Sequence, residues 1–238
     1  MDFKIRLAGR SIAVHSIYPD VYYEYNNFLA ENSKPDIEIC TDEDQIAAEF
    51  IRANQSDRKA FSIPMAEAFL VQRLISEQML NFNTFLMHGT VIAVDNKAYM
   101  FTAPSGTGKT THVRKWLNNI KGSFIVNGDK PLIIADEDGV YACGTPWNGK
   151  EQMGNNAIVP LDSIVFMKRS DENRMEAVHY LTVFPKLLEQ TYLPMDEEKM
   201  KKRLELLTRL KGNVGFYQFH FNNFKEDTFR VSYNTLIK

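Results

Sequence analysis

Apolar residues alternate at Phe3, Ile5 and Leu7 and again at Ile12 and Val14, with Ala8, Gly9 and Arg10 between them. That pattern predicts two strands joined by a tight turn. Residues 36–40 (DIEIC) predict a third short strand. Thr41 is the expected N-cap of a helix over DEDQIAAEFIRAN, which has an acidic first turn and Ile46, Phe50 and Ile51 on one face. Pro64 suits the first turn of a long helix, MAEAFLVQRLISEQMLN. Residues 91–102 (VIAVDNKAYMFT) are apolar and β-prone and feed a glycine-rich turn. Asp95, Asn96 and Lys97 are turn-like, so this segment reads either as one strand or as two paired strands over 91–94 and 98–102.

Beyond that turn, Val113, Trp116, Leu117 and Ile120 recur at helical spacing. A buried strand is expected over 123–126, a hairpin over 131–135 and 139–143 around DEDG, and a further strand over 163–167. VFPKLLEQTYL and EEKMKKRLELLTRLK repeat their apolar residues every three or four positions, and the second carries a charged, solvated face. Residues 215–221 (GFYQFHF) alternate and predict a strand, whereas the tail from Asp227 is open between helix and strand. Strands alternating with helices give a layered α/β protein. A small α/β subdomain is expected over 1–62, with the main domain over 63–238.

Composition narrows the function classes. With 44% hydrophobic and 24% charged residues, the 238 positions can bury a full core. The net charge of −2 supplies no global field for nucleic acid or an anionic membrane, so neither is an expected partner. Cys40 and Cys143 are too few and too far apart for a disulfide framework. The N-terminus lacks the apolar core of a signal peptide and no window approaches a membrane span, so a reducing cytoplasm is the expected location.

The chemistry concentrates in Ala103-Pro104-Ser105-Gly106-Thr107-Gly108-Lys109-Thr110. With a strand before it and a helix after it, the segment reads as a phosphate-binding loop, whose backbone N–H groups would converge on a phosphate at the positive helix end; the bland alternative is a glycine-rich turn with an incidental lysine. The consensus begins with Gly, and this chain has Ala103. Ser105, Gly106, Thr107, Gly108, Lys109, Thr110 and Thr111 are the expected nucleotide contacts. Lys109 would reach the β- and γ-phosphates, and the Thr110 hydroxyl would ligate Mg²⁺.

Phosphoryl transfer also needs a carboxylate. Asp129 is the candidate for both base and metal contact, because it ends the strand after the loop helix; its bland alternative is a turn residue in NGDKP. His88 joins the site only if residues 91–102 form a hairpin that returns it to the loop; otherwise it is a structural histidine. Trp147 and Lys150, in TPWNGKE, offer an indole for base stacking and an ammonium for the γ-phosphate. The alternative is a hydrophobic anchor beside a solvated lysine. Arg174 is a further candidate charge clamp.

With these segments in order, the chain resembles the HPr kinase/phosphorylase catalytic domain and the wider phosphoenolpyruvate-carboxykinase-like nucleotide-binding fold. The likeness runs through His88-Gly89-Thr90, VIAVDNKAYMFTA, PSGTGKT, NGDKPLI and TPWNGKE. It implies a P-loop fold with mixed sheets, ATP and Mg²⁺ as cofactors, and Lys109, Thr110, Asp129 and His88 in the reacting centre. The family carries an acidic pair after the second strand, and Gly128 stands here in place of one member. The docking segment of true HPr kinases is not found, and residues 1–62 are too short for their N-terminal domain. Compact stand-alone HPr-kinase-like serine kinases are therefore the nearer likeness. The resemblance implies a serine side chain of a peptide, or a small-molecule hydroxyl, as acceptor, and a homo-oligomer. The alternative is a nucleotide-binding regulatory or accessory protein with little or no transfer, which Gly128 favours. A carboxykinase acting on a dicarboxylate would need dedicated arginines that the sequence does not display.

Overall fold

The computed structural model describes residues 1–30, 34–56 and 61–237. The chain divides into two compact units, Met1–Phe82 and Asn83–Lys238. Among the described residues, no helix is long and apolar enough to cross a membrane.

In the first unit, β1 (Asp2–Leu7) and β2 (Arg10–His15) pair antiparallel through a turn in which Ala8 and Gly9 have φ of 46° and 79°. Helix α1 (Pro19–Glu24) follows, and β3 (Ile37–Cys40) then joins β2 in parallel. Ile5, Leu7, Ile12, Val14, Ile37 and Ile39 are buried, as the alternation predicts. Helix α2 (Glu43–Ser56) begins one residue later than expected. Asp42, not Thr41, is the cap, because its carboxylate accepts the Gln45 N–H at 2.8 Å. Ile51 leaves the expected face and is 57% exposed, whereas Ile46 is buried.

Helix α3 (Ile63–Met79) opens on Ser62, whose hydroxyl accepts the Met65 N–H, with Pro64 in the first turn. It packs Ala66 and Leu70 against Ile46 of α2. The two units part after Phe82, and α3 lies in the first of them. Glu67 ties this unit together. Its fully buried carboxylate accepts the N–H groups of Ile17 and Tyr18 at 2.6 and 2.7 Å and the Thr41 hydroxyl at 2.5 Å. The Thr41 side chain, expected as a cap, is spent on this contact.

The second unit is a mixed α/β structure. Its elements are β4 (Thr84–Leu86), β5 (Thr90–Val94), β6 (Lys97–Thr102), α4 (Lys109–Asn119), β7 (Phe124–Asn127), β8 (Leu132–Ala135) and β9 (Val140–Cys143). There follow β10 (Ile158–Arg169), β11 (Arg174–Ala177), α5 (Tyr180–Gln190), α6 (Glu197–Thr208), β12 (Gly215–Phe221) and α7 (Thr228–Leu236). The strands run in the order β4-β8-β9-β10-β6-β5-β7, with β12 pairing β10 and β11.

Strand β10 spans more than the predicted 163–167 because it serves two pairings. Ile158 to Pro160 lie antiparallel to β9, then the strand runs parallel to β6 from Leu161, with a register shift at Leu161/Ser163, and parallel to β12 from Ser163. The segment 91–102 resolves into two strands around Asp95 and Asn96, which have φ of 48° and 61°. Two positive φ values make the tight turn whose twist suits a hairpin. The tail is helical, with Ser232 of α7 fully buried.

Helix α4 presents Val113 and Trp116 to the core, while Leu117 and Ile120 are only partly covered. The Trp116 indole N–H donates to the Ser232 hydroxyl at 2.9 Å, and its ring lies 5.5 Å from both Tyr99 and Phe101. His112, one turn earlier, is fully buried between the rings of Phe101 and Phe219. Burial, helped by the Lys115 charge, pushes its pKa down to about 3.

Two outcomes follow from these buried groups. Glu67→Ala leaves two N–H groups without an acceptor and should lower stability by about 2–4 kcal/mol, read as a lower urea midpoint at unchanged slope. An unchanged midpoint would refute the role given to Glu67. For His112, the unfolded chain takes up a proton near pH 6.5 that the native protein refuses until about pH 3. Stability therefore falls on acidification across that window, by at most about 1.4 kcal/mol per pH unit from this residue. His112→Leu should show a shallower decline over the same range.

Candidate active site

Strand polarity gathers the site. β5 is antiparallel to both β6 and β7, and β10 and β12 run parallel to β6 in sequence of pairing. The start of β5 and the ends of β6, β7, β10 and β12 therefore share one sheet edge. His88, the 103–108 loop, Asp129, Arg169 and Asn223 all stand at that edge, where ligands of open α/β sheets gather.

The loop turns into α4 through Gly106 and Gly108, at φ of 74° and 119°. Those angles suit glycine, and at Gly108 a Cβ would also meet the Asn223 amide nitrogen at 2.7 Å. Gly108 is the N-cap residue and no side chain caps the helix, so the N–H groups of its first turn are left for an external acceptor. This is the geometry of an anion site.

Lys109 is buried, and its ammonium donates back to the carbonyls of Ala103 at 2.8 Å and Pro104 at 3.4 Å. Burial lowers its pKa, and the nearby Asp129 charge pulls the other way. The carbonyls of Gly106 and Thr107 accept from the Arg169 guanidinium at 2.6 and 3.1 Å, which fixes the loop from outside.

Facing the loop is a carboxylate–imidazole pair. Asp129 Oδ1 lies 3.3 Å from His88 Nε2, and His88 Nδ1 lies 2.9 Å from the Gln190 side-chain oxygen. Both partner oxygens only accept, so each contact is made by a ring N–H, with Nδ1 donating to Gln190 and Nε2 donating to Asp129. The His88 carbonyl also accepts the Thr102 hydroxyl at 2.7 Å, and the Gly89 N–H donates to the Asp129 carbonyl at 2.8 Å. Burial pulls the Asp129 carboxyl upward. The His88 hydrogen bond and the charges of His88, Lys130 and Lys109 outweigh it, and the pKa ends below the usual carboxylate value. Asp129 is thus ionised at neutral pH.

The turn that holds Asp129 is built on Asn127. This fully buried side chain accepts the Asp129 N–H at 2.9 Å and donates to the Thr145 hydroxyl at 2.8 Å. Gly128 sits where a second carboxylate was expected. A Cβ there would lie 2.8 Å from the carbonyl oxygens of both Asn148 and Met153, so the backbone packing itself calls for glycine.

A cleft of about 440 Å³ joins these groups, within the range of small-ligand sites. His88, Ser105, Gly106, Gly108, Lys109, Thr110, Thr111, Asp129 and Lys150 line it, so most of the residues picked out in the sequence meet in one place. Thr107 does not line this cleft but lines two neighbouring hollows. Trp147 corrects the sequence reading. It is 4% exposed and does not line the cleft, so its indole offers no face for stacking and serves as the hydrophobic anchor. Arg174 pairs with Glu176 on the exposed β11 and also lies outside the cleft.

Three contributors were missed. Glu151 lines the cleft and is ion-paired to Arg114 of α4, which places a second carboxylate near the loop from another segment. Arg169 lies two residues past the strand expected over 163–167 and joins the site because β10 runs on to it. Gln190 carries no sequence signal, since it is 102 residues from His88.

No model of a known protein family matches the chain, and no curated protein sequence does. Among solved structures, the chain is similar to the HPr(Ser) kinase/phosphatase from Coxiella burnetii, at 10% identity and a TM-score of 0.30. The overlap covers 52% of this chain and 88% of that one. At that overlap the functional reading rests on the site's own residues.

The packing around Gly128 gives a direct check. Gly128→Asp, which would add a second carboxylate beside Asp129, should destabilise the protein by about 1–3 kcal/mol in thermal or urea unfolding. A variant as stable as the parent would show that the loop yields and that the glycine is not required by packing.

Proposed function

We propose that the protein is an ATP- and Mg²⁺-dependent phosphotransferase that moves the γ-phosphoryl group to a hydroxyl, the serine of a peptide or a small-molecule alcohol. The observation that carries this reading is the uncapped first turn of α4 with Lys109 in it, facing an ionised Asp129 across one cleft. Ser105, Gly106, Gly108 and Thr111 line the cleft and would wall the polyphosphate.

The donor set fits the expected cofactors. Orphan N–H groups and an ammonium suit phosphate oxygens, and the Thr110 hydroxyl with the Asp129 carboxylate offers the hard oxygen donors that Mg²⁺ takes. When bound, Mg²⁺ supplies charge neutralisation on the β- and γ-phosphates. Lys109 leaves the Ala103 and Pro104 carbonyls for the phosphate oxygens. Asp129 accepts the proton of the attacking hydroxyl, and His88, fixed by Gln190, holds the carboxylate in line. Lys150, exposed at the cleft, adds positive charge where the transferring group builds negative charge.

Gly128 favours a second reading, nucleotide binding in a regulatory or accessory role without efficient transfer. Two substitutions separate the readings. Asp129→Asn should retain nucleotide binding and lose transfer to candidate peptides or alcohols by about 10²–10⁴-fold in a radiolabel assay, whereas Lys109→Met should lose binding itself. Transfer undiminished in Asp129→Asn would exclude the base role. Tight binding with no product from any acceptor in the parent protein would select the regulatory reading.

A further inference from the structure

The outer face of the first unit's sheet carries a donor set with no part in the nucleotide site. Register places Asp2 beside His15 and His15 beside Cys40, so the three form one row across β1, β2 and β3. Glu38 stands on the same face as Cys40, two residues earlier on β3. The neighbouring positions Phe3, Val14 and Ile39 point into the core, so this row points away from it.

Ligand atoms of His15, Glu38 and Cys40 all lie within 4.8 Å of one another, a grouping that no other His, Cys, Asp or Glu side chains make among the described residues. His15 Nε2 is 3.2 Å from Glu38 Oε1, and His15 Nδ1 is 2.9 Å from Asp2 Oδ1.

We propose that His15 Nε2, Cys40 Sγ and Glu38 Oε1 bind one zinc-class divalent transition-metal ion, with Asp2 as the positioning residue behind the imidazole. One nitrogen, one sulfur and one carboxylate oxygen form a borderline-soft set that suits Zn²⁺ and is wrong for Mg²⁺. Donors ~2.0–2.3 Å from a tetrahedral ion stand roughly 3.3–3.8 Å apart, so the observed spacing needs only small rotations of exposed side chains. Asp2 on Nδ1 is the carboxylate–histidine–metal arrangement that fixes the tautomer and turns Nε2 toward a metal. Without a metal, the same contacts are exposed ion pairs of little energetic value. Three protein donors leave the fourth position to water.

Cys143 does not compete for the ion. It is buried in the second unit, and burial pushes its thiol up to about 12.

The test uses the full, reduced chain without nucleotide. Co²⁺ is titrated as a spectroscopic probe, and Zn²⁺ affinity is read by competition with a chelating dye. The expected result is one equivalent of Co²⁺ with a thiolate-to-metal band in the near ultraviolet and the intense visible bands of a four-coordinate ion. Cys40→Ser should abolish the ultraviolet band, His15→Gln should weaken Zn²⁺ binding at least about 10-fold, and Asp2→Asn should weaken it about 10–100-fold. All three side chains lie on the solvent face, and far-ultraviolet circular dichroism checks that each variant is folded. Absence of a thiolate band in the folded parent, its persistence in Cys40→Ser, or parental Zn²⁺ affinity in His15→Gln would each overturn the proposal.

Discussion

The antiparallel pairing of β5 with β6 is the constraint on which the candidate site depends. Two left-handed residues, Asp95 and Asn96, reverse the chain, and five residue pairs then hold the strands in register. If residues 91–102 ran as one strand, His88 would sit a full strand length from the 103–108 loop. The hairpin instead returns it to the edge where β6 releases the loop. Because β7 is antiparallel to β5, its last residues reach the same edge and deliver Asp129. Local turn chemistry thus decides a long-range juxtaposition.

The loop itself is held ready for an anion. Its carbonyls are occupied by Lys109 from within and Arg169 from outside, while its first-turn N–H groups lack intrahelical acceptors. Lys109 loses solvation by burial and is only partly compensated by Asp129, so on the proposed reading a bound phosphate would relieve an existing penalty. The opposing pair is similarly prepared. Gln190 fixes the His88 ring, and Asn127 fixes the Asp129 backbone. Little rearrangement is asked of these groups beyond the swing of one lysine.

Much of this was legible in the sequence, and the misses have physical causes. Strand alternation located β1, β2, β3 and β12, and the glycine spacing located the loop, because both signals are local. Polar residues set by tertiary contact were not legible. Thr41 looks like a cap but bonds to buried Glu67, and Asp42 takes the capping role. Trp147 looks like a stacking surface in a loop, yet it is buried. Gly128 looks like a lost carboxylate, but two carbonyls leave no room for a side chain. Gln190 and Glu151 come from distant segments and acquire meaning only through the fold.

Binding of a polyphosphate to the first turn of α4 is the claim on which the functional account rests. The most direct measurement is a titration of the folded protein with MgATP, followed by calorimetry and by the backbone amide resonances of Gly106 to Thr110. The account predicts saturable one-to-one binding with the largest shifts at Gly108, Lys109 and Thr110. No heat and no shift at those amides, in protein whose remaining spectrum is that of a folded chain, would contradict it.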